Sequence, residues 1–236
     1  MTTRALLLAG GLGTRLRPLT DTVPKCLIEV GGRPMLDYWV DALEHAGVHD
    51  ALINTHHLPE PVRAYITQIN ATRPVTLHEA FEPELQGSAG TLHANRNFAD
   101  DADEVVVIYA DNLSDIDLNA FLTFHRQHDD PVTMALFRTP YPKKCGIATL
   151  DGAGRITDFV EKPDVPDSDL ANAGLYVLSR AAWREIADMD AFDFGFDVIP
   201  KFVGRMRGFE HQGYHRDIGT PESLTQAQHD IKGLAL

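Results

Sequence analysis

The sequence predicts an α/β protein built on a mixed, mainly parallel sheet. Three observations carry that prediction. Short apolar runs that read as buried strands alternate with longer amphipathic segments through the first half of the chain. The run Glu104–Tyr109 is apolar almost throughout, as a strand covered on both faces must be. The first strand opens into a glycine-rich turn, and open α/β sheets bind ligands beyond the carboxyl ends of their strands.

Taken in order, the uncharged run Ala5–Ala9 is the first strand. A helix follows from Pro34 to Ala46. Pro34 suits a first turn, Met35, Leu36, Trp39, Val40 and Leu43 share one face, and Gly47 ends it. Ala51–Asn54 is the second strand, Pro59–Ile69 a helix with Val62, Tyr65, Ile66 and Ile69 inward, and Val75–His78 the third strand. The segment Gln86-Gly-Ser-Ala-Gly-Thr-Leu leads into a helix over 91–97, and Glu104–Tyr109 is the central strand. The second half is less regular. It reads as a helix over 117–128, a strand Val132–Phe137, and a hairpin of Gly146–Leu150 and Arg155–Val160 around Asp151-Gly-Ala-Gly. A strand Asn172–Leu178, short helices over 181–187 and 196–203, a strand over 206–211 and a helix from Pro221 to Ile231, capped by Thr220, complete it. The expected architecture is a Rossmann-like three-layer sandwich with a small β-rich subregion forming one wall of the site. No linker rich in Pro, Gly or Ser interrupts the chain. A single domain over 1–236 is therefore expected, with halves of about 1–112 and 113–236.

The 236 residues suffice for a sizeable core, and the net charge of −13 argues against nucleic-acid and membrane-surface partners. An anionic ligand would need a local positive island. Cys26 and Cys145 lie far apart without a Cys-x-x-Cys, which points to a reducing, cytoplasmic setting. No apolar stretch is long enough for a membrane helix, and the start does not read as a signal peptide.

The chemistry begins at Leu6–Pro18, LLLAGGLGTRLRP. Gly10, Gly11 and Gly13 bare the backbone N–H groups after Leu8 and Ala9, and Thr14, Arg15 and Arg17 follow. Amides form a cradle for phosphate and guanidinium groups supply fork-shaped donors. A dinucleotide fingerprint needs a third glycine where Leu16 stands, and a Walker loop needs Gly-Lys-Ser/Thr, which the chain lacks. An ordinary strand-to-helix turn remains the alternative, and two adjacent cations weigh against it.

Other candidates each admit two readings. Lys25 either snorkels at the surface or points into the phosphate loop. Asp111, directly after the central strand, suits a metal ligand or a turn aspartate. Lys162 suits a second phosphate or a hairpin end. Asn172 and Gly174 suit hydroxyl recognition or a plain bulge. Asp217 is a second metal ligand or part of a turn before the last helix. His56 and His57 read as loop histidines, with no zinc-ligand spacing around them.

Together these segments resemble one family, the sugar-1-phosphate nucleotidyltransferases. The matching runs, in family order, are Gly10-Gly-Leu-Gly-Thr-Arg-Leu-Arg-Pro, Pro24-Lys25, Gly32-Arg-Pro-Met, Gly87-Ser-Ala-Gly-Thr, Asp111-Asn112, Phe159-Val-Glu-Lys-Pro, Asn172-Ala-Gly-Leu-Tyr and Asp217-Ile-Gly-Thr-Pro. The resemblance covers Leu6 to about Ala227. It implies transfer of a nucleotidyl group from an NTP to a sugar 1-phosphate, giving an NDP-sugar and pyrophosphate. It implies that Gly10, Gly11 and Gly13 hold the triphosphate, with Leu8, Ala9 and Thr14 also at the nucleotide, that Arg15 stabilises the leaving pyrophosphate, and that Lys25 bridges oxygens near the α-phosphorus. Asp111 and Asp217 would share Mg2+. Lys162 would hold the sugar phosphate, Gly146, Glu161, Asn172 and Gly174 would contact the sugar, and Gly87 and Ser88 would face the base.

The details resemble short bacterial guanylyltransferases acting on mannose 1-phosphate or a manno-heptose 1-phosphate, so GTP is the expected nucleotide. Glu79 offers a carboxylate to the guanine N1–H and N2 amine; the alternative is that it faces solvent and the backbone alone reads the base. Uridylyl, thymidylyl and cytidylyl transfer, or a non-catalytic nucleotide-sugar sensor, are the competing readings. Retention of Arg15, Lys25, Asp111 and Asp217 opposes the sensor. The sequence departs from the family at Ala110, where glycine is usual, and at His215, where an aromatic residue is frequent. The C-terminal β-helix of several relatives is not expected here, and a homodimer is compatible with the resemblance.

Overall fold

The structure is a computed structural model describing residues 1–234. In chain order it contains β1 (Thr3–Leu8), the two short strands β2 (Glu29–Val30) and β3 (Arg33–Pro34), α1 (Met35–His45), β4 (Asp50–Thr55), α2 (Pro59–Thr72) and β5 (Thr76–Phe81). Then come α3 (Gly87–Ala94), β6 (Glu104–Tyr109), β7 (Asn112–Ser114), α4 (Leu118–His125), β8 (Val132–Arg138), β9 (Gly146–Leu150), β10 (Ile156–Glu161) and β11 (Leu170–Ser179). A last group comprises α5 (Arg180–Ala187), a π turn (Phe194–Val198) running into α6 (Ile199–Phe202), β12 (Met206–Glu210), β13 (His215–Asp217) and α7 (Pro221–Asp230). The fold is α/β, with a mixed, mainly parallel central sheet and flanking helices.

The chain divides into two compact units. The first comprises Arg4–Leu85, Ile108–Leu118 and Gly213–Leu236; the second comprises Met1–Thr3, Gln86–Val107 and Asn119–Gln212. In the first unit β1, β4 and β5 are parallel neighbours, with Leu6 opposite Leu52 and Leu52 opposite His78. Such parallel strands need crossovers, and α1 and α2 supply them. The apolar face of α1 is buried at Met35, Leu36, Trp39, Val40 and Leu43, as its period requires. A separate pair, β7 and β13, runs antiparallel with Asp217 opposite Asn112. It is pinned by a cluster of Val30, Met35, Tyr38, Leu113, Ile218 and Ala227, with Leu224 and Ile231 of the C-terminal segment packed on it. Burial of each large side chain there contributes roughly 1.5–3 kcal/mol.

In the second unit, β8 is antiparallel to β11 and parallel to β12, while β9 pairs antiparallel with both β10 and β11. The hairpin Gly146–Leu150/Ile156–Glu161 matches the expected turn around Asp151, whose carboxylate accepts from Ala153 and Arg155 amides. Two expectations shift here. The helix expected over 91–97 starts at Gly87, because the first turn is anchored by the Ala89 amide donating to Phe192 O at 3.0 Å. The helix expected over 196–203 is a π turn followed by one turn of α-helix, capped by Asp193.

Candidate active site

The glycine loop leaves β1 at Leu8 and turns through Gly13, whose φ of +61° suits glycine. A Cβ at Gly13 would lie 2.7 Å from Thr20 Cγ2, and Thr20 Oγ1 donates to Gly13 O at 2.8 Å. Loop amides divide into two sets. Those of Ala9 and Gly10 donate to Asn54 Oδ1, at 2.6 and 3.1 Å. Those of Gly11, Leu12, Gly13 and Thr14 meet no protein acceptor among the described residues. Of the glycine amides expected to cradle phosphate, that of Gly10 is therefore committed to the protein, and those of Gly11 and Gly13 are not.

After the loop, a single turn anchored by buried Leu16 carries Arg15, and the third such turn, Lys25–Leu27, carries Lys25. Across from them, Asp111 follows β6. The Ala110 amide donates to Leu8 O at 3.0 Å and the Ile218 amide to Asp111 O at 3.1 Å. These backbone bonds tie the ends of β1, β6 and β13 together. Lys25 Nζ lies 2.5 Å from Asp111 Oδ2 and 3.4 Å from Asp217 Oδ1, and Arg15 Nη2 lies 3.9 Å from Asp217 Oδ2. The structure thus brings Arg15, Lys25, Asp111 and Asp217 to one place. Arg17 instead pairs with Asp21 at 3.2 Å.

Lys25 is only 7% exposed, more buried than a loop lysine is expected to be. Burial alone would lower its pKa, but Asp111 and Asp217 outweigh burial and raise it, so the ammonium stays charged. At Asp217 burial raises the pKa, Lys25 pulls against it, and the like charge of Asp111 adds to the net rise. The neighbouring thiol of Cys26 is pushed up to about 12 by burial, so it is no nucleophile. The carboxylates keep 33% and 56% of their side-chain surface open, and no third His, Cys, Asp or Glu joins them among the described residues. Two accessible carboxylates without nitrogen or sulfur donors fit a hard cation that takes its other ligands from water and phosphate, as Mg2+ does.

The second unit carries the residues expected at the sugar. Glu161 ends β10 with its side chain 16% exposed, and Lys162, at φ +49°, keeps 59% of its side chain open. Their charges are 3.6 Å apart. Two glycines flank the Glu161 carboxylate: a Cβ at Gly146 would lie 2.5 Å from Oε2, and one at Gly195 would lie 3.0 Å from it. Burial raises the Glu161 pKa, Lys162 opposes the rise and Asp193 adds to it. Asn172 donates to Tyr176 Oη at 2.7 Å and accepts from the Gly174 amide at 2.9 Å, across a bulge where Gly174 takes φ +70°. Tyr176 stacks on Phe194.

The residues expected at the base are held firmly. A Cβ at Gly87 would lie 2.3 Å from Phe192 O, and Ser88 Oγ accepts from the Phe194 amide at 2.9 Å. Glu79, in the first unit, accepts from Thr55 Oγ1 at 2.6 Å and from Arg63 Nε at 2.9 Å on each oxygen. A base reading that carboxylate would compete with an ion pair. Asn54 was not singled out by sequence reasoning. Its only signal is a polar residue closing an apolar strand.

A mannose-1-phosphate guanylyltransferase catalytic subunit beta from Danio rerio is 34% identical over 225 residues, 94% of this chain and 62% of its own length. The chain thus spans about three fifths of the curated relatives it matches. A crystal structure from Bacillus anthracis in complex with a sucrose superposes with a TM-score of 0.88 at 24% identity, over 100% of this chain and 97% of that one; this likeness shows the fold. The crystal structure of HddC from Yersinia pseudotuberculosis, complexed with GMP-PN, gives a TM-score of 0.79 at 25% identity, over 98% of this chain and 100% of that one. The family model described as nucleotidyl transferase matches residues 4–233, with the glycine loop and both aspartates inside the match, and the chain belongs to that family.

Proposed function

We propose that this protein transfers a guanylyl group from GTP to a mannose-type or manno-heptose-type sugar 1-phosphate, releasing pyrophosphate. The observation that carries the reading is the convergence of Arg15, Lys25, Asp111 and Asp217 after a loop whose Gly11 to Thr14 amides meet no acceptor among the described residues. The names of its guanylyltransferase relatives and the GMP-PN complex of a similar structure support guanine as the base.

The reaction is a displacement at the α-phosphorus by a phosphate oxygen of the sugar 1-phosphate. It needs no covalent enzyme intermediate, so the protein aligns the reactants and neutralises charge. The amides of Gly11 to Thr14 cradle the triphosphate. Arg15, with its planar guanidinium, stabilises the negative charge that builds on the departing pyrophosphate. Lys25, kept protonated by its two carboxylates, supplies a positive charge near the α-phosphate. Lys162 holds the sugar phosphate, and the recessed Glu161 carboxylate accepts from sugar hydroxyls, with Asn172 and Gly174 beside it.

Nucleotidyltransferases of this family generally use a divalent metal. Asp111 and Asp217 would hold Mg2+, which when bound neutralises phosphate charge. The test is competition: the protein with Mg2+, mannose 1-phosphate or manno-heptose 1-phosphate, and equimolar GTP, UTP, dTTP, CTP and ATP, with products separated by mass. A dominant GDP-sugar is expected. A dominant UDP- or dTDP-sugar would remove guanine while keeping the reaction class.

A further inference from the structure

The division of the loop amides has a cause one strand away. Asn54 is the penultimate residue of β4 and is 4% exposed. Its Oδ1 receives both the Ala9 and the Gly10 amide, and its Nδ2 donates to Glu82 Oε1 at 3.0 Å. Glu82 is itself 2% exposed, and its backbone is fixed to the same strand end: its amide donates to Thr55 O at 2.8 Å, and its carbonyl receives His56 Nδ1 at 2.8 Å. A carboxylate accepts hydrogen bonds and does not donate them, so Glu82 can only face the NH2 end of the amide. That fixes the orientation of Asn54 and turns its oxygen to the loop. A Cβ at Gly10 would lie 2.8 Å from Asn54 Nδ2, so the loop backbone lies directly on this amide.

We infer that Asn54 is a positioning residue for the phosphate loop, with Glu82 setting its orientation. It touches no substrate. By holding the two amides at the base of the loop, it leaves the following ones, Gly11 to Thr14, splayed outward and ready for phosphate oxygens before any nucleotide arrives. Such preorganisation lowers the ordering cost of binding. The inference rests on the loop being the triphosphate site and adds the device that keeps it open.

The test exchanges donor and acceptor. Asn54→Asp keeps an oxygen for the loop amides but sets one carboxylate against another. Adding Glu82→Gln restores one donor and one acceptor across the pair. Binding of inorganic tripolyphosphate, measured by calorimetry with magnesium chloride present, reads the loop without base or sugar. Losing the hydrogen bond that Asn54 Nδ2 donates to the Glu82 carboxylate predicts affinity weakened about tenfold in Asn54→Asp. The double variant is expected within about threefold of the parent, as two coupled sites require. The KM for the sugar 1-phosphate stays unchanged in all three proteins, whereas a merely structural role would move both ligands alike. Equal tripolyphosphate affinity in parent and Asn54→Asp overturns the inference, and so does a double variant no better than the single. A protein whose tripolyphosphate affinities follow the predicted order yet which forms no sugar nucleotide keeps the inference and loses the proposed reaction.

Discussion

Replacing Lys25 by methionine removes the positive charge between Asp111 and Asp217 while keeping most of the side-chain volume. Two effects follow, and their sizes separate catalysis from stability. Lys25 is 7% exposed, and losing one partner of a fully buried pair costs about 3–5 kcal/mol. Here the partners are not fully buried, since 33% and 56% of their side-chain surfaces are open and water can take over part of their solvation. The stability loss should fall to about 1–2 kcal/mol, a drop in Tm of roughly 3–7 °C for a chain of this size. The catalytic effect is larger. Removing one charge-stabilising donor at a transferring group costs about 10²–10³ in kcat. The assay is steady-state release of pyrophosphate at saturating GTP and sugar 1-phosphate, at a temperature well below the Tm of the variant. A variant that melts several degrees lower but keeps kcat within about threefold of the parent would refute the role, because charge loss at the reaction centre cannot be that mild.

Further outcomes are expected elsewhere. Asp111→Asn and Asp217→Asn should each remove most turnover and raise the magnesium concentration needed for half-maximal rate, measured by metal titration. Gly146→Ala places a methyl against Phe159 and the Glu161 carboxylate, so it should raise the KM for the sugar 1-phosphate while the KM for GTP stays near its parent value. Gly87→Ala, at φ +76° and against Phe192 O, should cost about 1–3 kcal/mol, read as a lower urea midpoint. His125 is buried with Nδ1 on Thr133, and burial lowers its pKa from 6.5 to about 4. The unfolded chain therefore binds a proton that the folded chain does not, and stability is lost as pH falls below about 6.5 toward 4. The urea midpoint should drop between pH 7 and pH 5, and His125→Gln should flatten that drop.

What could be read from the sequence was local. The run from Leu6 to Pro18 reads as a candidate phosphate loop, because strand, glycines and arginines are adjacent in the chain. The strand and helix order followed from periodicity for the same reason. What could not be read was long-range pairing. Asn112–Ser114 and His215–Asp217 are three-residue strands, too short to show alternation, and their register alone sets Asp217 beside Asp111. Family motifs nominated both aspartates, but neither sequence segment reveals the other. The burial of Lys25 depends on that same pairing. Asn54 was missed because a polar residue closing a strand is commonplace, and its partners Ala9, Gly10 and Glu82 come from separate segments. The start of α3 at Gly87 was missed because glycine is a poor helix former, and the Phe192 carbonyl that anchors its first turn lies far along the chain.

In the proposed reaction a sugar phosphate oxygen displaces pyrophosphate directly at the α-phosphorus, with the chain supplying charge and alignment. This displacement is tested most directly with GTP radiolabelled either at the α- or at the γ-phosphate, in a single turnover with mannose 1-phosphate or manno-heptose 1-phosphate and Mg2+. Direct displacement leaves α-label only in the sugar nucleotide, γ-label only in pyrophosphate, and none on the protein at any time. Label retained on the protein, or γ-label released as free phosphate without a sugar nucleotide, would contradict it.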